Sequence, residues 1–164
     1  ADVPFSVVSL DFMAPLSTNA LTNHSTTIEH IEGQLPSTFV PGRNLFFLSA
    51  AAIKAKEHDI SILYTGVCQT DYSGYPDCRQ SFIDSAATTI SLALDYTIEI
   101  RTPLMYLTKA DTVLKMQDLG CLDWYKQSHT CYEGLRPACG KCPACELRLK
   151  GFNQAGINDP LDYC

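Results

Sequence analysis

Ile60-Ser-Ile-Leu-Tyr-Thr-Gly-Val67 is the segment from which the fold is read. It is a continuous apolar run ending at Gly66, the pattern of a parallel strand covered on both faces; a half-buried strand would alternate. Downstream, residues 79–94 place Phe82, Ile83, Ala86, Ala87, Ile90 and Leu94 at helical spacing. Residues 97–101 read as another strand, ended by Thr102-Pro103. Thr108-Lys-Ala-Asp111 then has capping-box character, with Asp in place of the usual Glu. The helix it opens spans 109–119 and stops at Gly120, a C′ glycine. Upstream, residues 45–57 are dense in Ala, Leu and Phe and predict a helix buried on most sides in its first half. Residues 5–10 are β-branched and apolar and predict a buried strand. Strand and helix alternate, so the expected fold class is α/β, a parallel sheet flanked by helices.

The totals bound the rest. At 164 residues the chain has room for one domain, read as a single α/β domain over 1–164. Apolar content of 46% and charged content of 18% are ordinary for a soluble globular protein. A net charge of −6 argues against a protein built to wrap nucleic acid or an acidic membrane. The most apolar run, 45–53, is too short to span a bilayer. No export signal opens the chain, and eight cysteines without one point to a reducing compartment, so a cytoplasmic location is expected. The chain starts at Ala1 without a methionine and runs almost at once into the expected strand, so it is read as N-terminally incomplete. Residues 11–37 turn polar around Pro15 and Pro36 and read as a long loop with room for one short helix; loops of such length tend to be functional.

The chemistry concentrates in Cys131-Tyr-Glu-Gly-Leu-Arg-Pro-Ala-Cys139-Gly-Lys-Cys142-Pro-Ala-Cys145. Zinc requires four soft ligands converging on a tetrahedron, and a C-x2-C step lets one tight turn supply two. Gly134, Gly140 and Pro137 give the turns. Four thiolates around Zn²⁺ carry a net charge of about minus two, which Arg136, Lys141, Arg148 and Lys150 are placed to offset. With all four positions filled the ion is structural, the core of a zinc-binding subdomain over 121–152. Two disulfides or a redox C-x2-C pair are the alternatives; crowding and the missing export signal favour metal. A short helix to about Lys150 and a polar tail follow.

Three further places can bear function. Gly42, Arg43 and Asn44 stand at the N-terminus of the 45–57 helix, where free N–H groups and the dipole join a cation to make an anion site; a capping turn with a surface arginine is the bland alternative. Residues 68–79 leave the carboxyl end of the 60–67 strand, where open α/β sheets bind ligands. Their two tyrosines could stack a flat heterocycle, and Asp71 and Asp77 could accept its N–H donors. Cys68 and Cys78 there read as small buried side chains, a disulfide or second metal site being less favoured. Lys109, in the first turn of its helix, opposes the dipole and suggests a nearby anion; a solvated surface lysine is the alternative.

Phe39-Val-Pro-Gly-Arg-Asn44, Gly66-Val-Cys-Gln-Thr-Asp71, Ser73-Gly-Tyr-Pro-Asp-Cys-Arg79, Thr102-Pro-Leu-Met105 and the four-cysteine loop occur in an order that resembles the 7-cyano-7-deazaguanine synthase family of queuosine biosynthesis, within the PP-loop ATP-pyrophosphatase superfamily. The resemblance covers nearly all of the chain. It implies a Rossmann-like sheet of the adenine nucleotide alpha-hydrolase type with a C-terminal four-cysteine zinc lobe. The implied reaction is ATP-dependent conversion of 7-carboxy-7-deazaguanine and ammonia to the nitrile, through adenylated acid and amide, with Mg²⁺ accompanying ATP. It also implies that Cys131, Cys139, Cys142 and Cys145 ligate zinc, and that Asn44, Asp71, Tyr75, Asp77 and Arg79 bind substrate. Lys109 and Arg43 are the implied catalytic cations, and a homodimer the expected assembly.

One departure stands out. The superfamily's Ser-Gly-Gly-x-Asp-Ser loop is absent, and the chain holds no Gly-Gly pair. Either a missing N-terminal segment or another chain is expected to supply that loop, and this chain alone is expected to be inactive. Two rival readings remain: a zinc-knuckle module gripping nucleic acid through Arg136, Lys141, Arg148 and Lys150, and a family relative performing another ATP-dependent amide- or acyl-forming reaction.

Overall fold

Parallel strands cannot be joined by a tight turn, so a crossover must separate them, and here the crossover is a helix. The computed structural model describes residues 3–23, 25–29, 34–70 and 74–164. Within them β1, Ile62–Tyr64, pairs in parallel with β2, Glu99–Arg101, in the register Ile62↔Glu99, Leu63↔Ile100, Tyr64↔Arg101. The Glu99 amide to the Ser61 carbonyl (2.8 Å) and the Thr65 amide to the Arg101 carbonyl (3.0 Å) extend the ladder at both ends. Helix α2, Gln80–Leu94, makes the crossover and ends at Asp95 in the left-handed region, φ 45°.

Helix α1, Arg43–Glu57, buries Leu48, Ala52 and Ala55, and α2 buries Ile83, Ala86 and Ile90. These residues recur every three or four positions, so each set forms one stripe. The stripes pack with Ile98 and Met105, and with Leu63 and Ile100 from the inward face of the sheet, into one core. Alanines at the contact let α1 and α2 approach closely. Lys56 donates to the Leu94 carbonyl and ties the two helix ends together.

Three expectations are corrected. The 60–67 strand is regular only over Ile62–Tyr64 and is covered on one face: Tyr64 is 66% exposed, with the Arg101 guanidinium 5.7 Å from its ring centroid. Residues 5–10 form no strand, and Phe5 is 90% exposed. A strand needs a neighbour for its backbone N–H and C=O groups, and no ladder partner stands beside 5–10 among the described residues. The first half of α1 is buried along a stripe only, with Leu45 and Phe47 exposed. These features adjoin one another: Val8, Leu10, Phe47, Ala51, Ile62 and Tyr64 line one open cavity of about 760 Å³. An apolar layer that would cover them is what the three expectations assumed. The long polar loop does hold a short helix, a 3-10 turn over Asp11–Leu16.

Helix α3, Lys109–Asp118, begins with the expected box: Thr108 Oγ1 accepts from the Asp111 amide (3.1 Å) and Asp111 Oδ2 from the Thr108 amide (2.8 Å). Gly120, φ +66°, closes it, with the Cys121 amide bonded to the Met116 carbonyl. Helix α4, Pro143–Ala155, runs past the expected end near Lys150 and stops at Gly156. Its last turns are held by buried Phe152 and by the crossing with α3. Gly151 sits at that crossing, where an added Cβ would lie 2.5 Å from the Lys109 Cβ. No helix among the described residues is long and apolar enough to cross a membrane.

The crossing gives a stability prediction. Gly151→Ala forces α3 and α4 apart and is expected to destabilise by about 1–3 kcal/mol, the range for overpacking a close contact. Chemical denaturation of the two proteins checks it, and an unchanged midpoint would show that the helices do not meet there.

Candidate functional site

The cysteine loop is folded around its own sulfurs. The Cys139 amide points at Cys131 Sγ (3.5 Å), the Cys142 amide at Cys139 Sγ (3.2 Å) and the Tyr132 amide at Cys142 Sγ (3.4 Å). Gly134 and Gly140, at φ +67° and +69°, turn the backbone between them. Cys142 is the N-cap residue of α4 and Pro143 its first helical residue, so Cys145 returns to the cluster after one turn. The four sulfurs are buried and lie within 4.8 Å of one another, a group that could hold a metal ion. Burial pushes the Cys131 thiol up, but the amides of Cys139, Leu135 and Glu133 outweigh it and hold the thiol below its ordinary range. Burial and the neighbouring Cys142 push Cys145 well up. Thiolates this close repel, so one ionises readily and the set ionises together only around a cation.

Arg148, expected among the cations offsetting those thiolates, is engaged elsewhere. Its guanidinium donates to Asp159 through Nε (2.6 Å) and Nη2 (2.8 Å) and to Ser128 Oγ through Nη1 (2.7 Å). The side chains of the pair are 7% and 5% exposed. The rings of Tyr125 and Phe152 lie 5.5 and 5.3 Å from the guanidinium. Burial favours the neutral Asp159 acid, yet hydrogen bonds from Arg148, the Tyr163 hydroxyl and the Leu161 amide hold its carboxyl below the usual range. The pair thus fastens α4 to the C-terminal tail, which also bridges to the cysteine loop at Ala138↔Tyr163. It removes one of the four cations that a nucleic-acid grip would use, leaving Arg136, Lys141 and Lys150 exposed.

A second constellation lies at the N-terminus of α1. Gly42, φ +72°, turns the chain into the helix. Asp77 Oδ2 accepts the Asn44 amide (3.1 Å), so the anion at this helix end is the chain's own carboxylate. Asn44 Nδ2 donates to the Asp77 carbonyl (2.9 Å) and to Cys78 Sγ (3.4 Å). Burial and the Asp77 charge raise the Cys78 thiol. The Arg43 guanidinium stands 5.9 Å from the Tyr75 ring centroid, and Phe39 stacks on the same ring at 5.8 Å. The Tyr75 hydroxyl meets Thr38 Oγ1 (2.6 Å) and the Tyr132 hydroxyl (3.3 Å), which joins this region to the cysteine lobe.

Arg43, Asn44, Tyr75 and Asp77 are therefore together. Arg79 is the exposed N-cap residue of α2, and Asp71 lies outside the described residues. Lys109 is half-buried at the α3–α4 crossing. The loops leaving the carboxyl ends of β1 and β2 clasp: Gln69 donates its amide to the Met105 carbonyl (2.8 Å), and Cys68 Sγ (3.0 Å) and Thr70 meet the Leu107 carbonyl. Cys68 and Cys78 are free and half-buried rather than fully buried. Thr38 and Tyr132 were not singled out from the sequence. Tyr132 adjoins Cys131 and Thr38 precedes Phe39, but no periodicity brings either to Tyr75.

Two comparisons extend this picture. A profile of the family described as queuosine biosynthesis protein QueC matches residues 1–156. A 7-cyano-7-deazaguanine synthase from Chromobacterium violaceum is 48% identical over 164 residues, covering 98% of this chain and 70% of that protein.

The buried pair makes its own prediction. Arg148→Met leaves the buried Asp159 carboxylate without its counter-charge, with only the Tyr163 hydroxyl and the Leu161 amide donating to it, and is expected to destabilise by about 3–5 kcal/mol at pH 7. Because the Asp159 carboxyl is lowered in the fold, its contribution is present above the unfolded value of about 4 and is lost as pH falls through the lower folded value. Denaturation at neutral and acid pH checks both: Asp159→Asn should flatten the acid limb of the stability curve, and an unaltered limb would contradict the assignment.

Proposed function

The chain belongs to the QueC family of queuosine biosynthesis proteins, and we infer from that membership that it serves as a 7-cyano-7-deazaguanine synthase. The reaction is an ATP-dependent ligation. The carboxylate of 7-carboxy-7-deazaguanine is a poor electrophile; adenylation, releasing pyrophosphate, turns one oxygen into a leaving group. Ammonia attacks, AMP departs and the amide forms. A second adenylation at the amide oxygen lets that oxygen leave with AMP as the nitrile forms.

The observation that carries the residue roles is the meeting of Arg43 and Asn44, at the N-terminus of α1, with Tyr75 and Asp77 from the segment that leaves the carboxyl end of β1, where open α/β sheets bind ligands. In this reading Arg43 and Lys109 are the catalytic cations, offsetting charge on the adenylate and its phosphates. Asn44, Asp71, Tyr75, Asp77 and Arg79 form the substrate-binding set, with Asp77 holding the turn that presents Arg43. ATP enters with Mg²⁺. The superfamily's pyrophosphate loop is proposed to come from an N-terminal segment of the native protein or from another chain. The relative's greater length and the open apolar cavity beside residues 5–10 and α1 support that reading. The chain by itself is then expected to be inactive.

The metal is proposed to be zinc. A tetrahedron with Zn–S bonds of about 2.3 Å has edges of about 3.8 Å, and Cys139 Sγ and Cys145 Sγ stand 3.9 Å apart. Cys131, Cys139, Cys142 and Cys145 fill every position, so the ion holds structure and takes no part in the chemistry. Residues 121–152 are its subdomain within one α/β domain. Free thiols in such a site suit a reducing, cytoplasmic setting. A homodimer is the proposed assembly.

The test uses a protein that includes the pyrophosphate loop, supplied with the acid, ammonium and MgATP. Nitrile, AMP and pyrophosphate are expected, and Arg43→Ala should lower kcat by about 10²-fold, the usual loss of one preorganised donor. No nitrile from the wild type would end the synthase reading. Metal analysis should find one zinc per chain and none in Cys139→Ser, which should also unfold more easily; full occupancy in that variant would exclude the ligand set.

A further inference from the structure

A cavity of about 600 Å³ lies between the loop ending at Thr38 and the cysteine lobe, within the size range of small-molecule sites. Its walls include three hydroxyl groups in contact: Thr38, Tyr75 and Tyr132, from three separate segments of the chain. Thr38 is 3% exposed and Tyr75 9%. The Tyr75 ring is already engaged by Phe39 and Arg43, so what it offers this cavity is its hydroxyl rather than a stacking face. Opposite stands α4, which contributes Glu146 and Lys150, with Lys141 from the turn before it.

We propose that this cavity seats the ring of the deazaguanine acid, with Tyr132, Thr38 and Glu146 as specificity-determining residues and the cysteine lobe as one wall of the substrate pocket. The inference rests on the synthase reading above and names the place and the partners of its substrate. The chemistry fits the ligand edge by edge. The pyrimidinone ring presents a carbonyl beside an N–H and an amino group. Hydroxyls both donate and accept and so can meet the carbonyl. A carboxylate such as Glu146 accepts the adjacent pair of N–H donors in the bidentate manner used for guanine-like edges. The four-cysteine cluster then acts on recognition: the Tyr132 amide points at Cys142 Sγ and its residue adjoins Cys131, so the lobe fixes where that hydroxyl stands. Arg43, against the other part of Tyr75, is placed to meet the activated end of the substrate.

Isothermal titration of the zinc-loaded full chain with 7-carboxy-7-deazaguanine tests this without requiring turnover. The wild type is expected to bind. Tyr132→Phe, which keeps the ring and removes the hydroxyl, should weaken binding at least tenfold with zinc content unchanged. Glu146→Gln, at an exposed helical position, should weaken it similarly and serves where Tyr132→Phe fails to fold. Wild-type affinity in a folded variant overturns the proposed pocket and leaves the synthase reading intact. Failure of the wild type to bind the acid overturns both.

Discussion

Four sulfur atoms held within 4.8 Å of one another are the constraint from which the C-terminal half of the chain takes its shape. Neutral thiols gain little from such crowding, and thiolates repel; a dication reverses the sign of the interaction. Metal binding of this kind contributes on the order of 10 kcal/mol, comparable with the net stability of a domain. The geometry follows from it. The loop must turn back on itself at Gly134 and Gly140, α4 must begin directly after Cys142, and Tyr132 must lie where its amide reaches a sulfur. The Arg148–Asp159 pair then anchors the tail to α4.

The lobe matters to the sheet because it meets the loop that leaves β1. Tyr75 belongs to that loop, and its hydroxyl lies between Thr38 and Tyr132. Its ring lies beside Arg43, whose helix end is capped by Asp77 from the same loop. One tyrosine therefore joins the helix N-terminus, the strand-end loop and the cysteine lobe. A ligation that must hold a flat acid beside an adenylate needs fixed side chains of this kind, since small misplacements of reacting groups are costly.

Much of this was legible in the sequence where a local rule governs. The capping box at Thr108 and Asp111, the stop at Gly120 and the stripe of α2 each depend on neighbours a few residues apart, and each is present. The cysteine spacing was legible for the same reason: one short stretch, the loop and the first turn of α4, supplies all four sulfurs. Burial of 5–10 and of α1 was misjudged, because apolar residues state a need for a covering layer and not its presence. Arg148 was assigned to the thiolates by proximity in sequence; on α4 it faces Asp159, eleven residues further on, which no helical spacing foretells. Thr38 and Tyr132 were passed over because their meeting depends on tertiary closure between segments 94 residues apart by number, 38 to 132.

X-ray absorption at the zinc edge on the purified chain addresses the constraint directly, since it reads ligand type and distance at the metal. The account predicts four sulfur neighbours at about 2.3 Å and no nitrogen or oxygen in the shell. A shell containing nitrogen or oxygen, or cysteines found paired as disulfides with no metal, would contradict it.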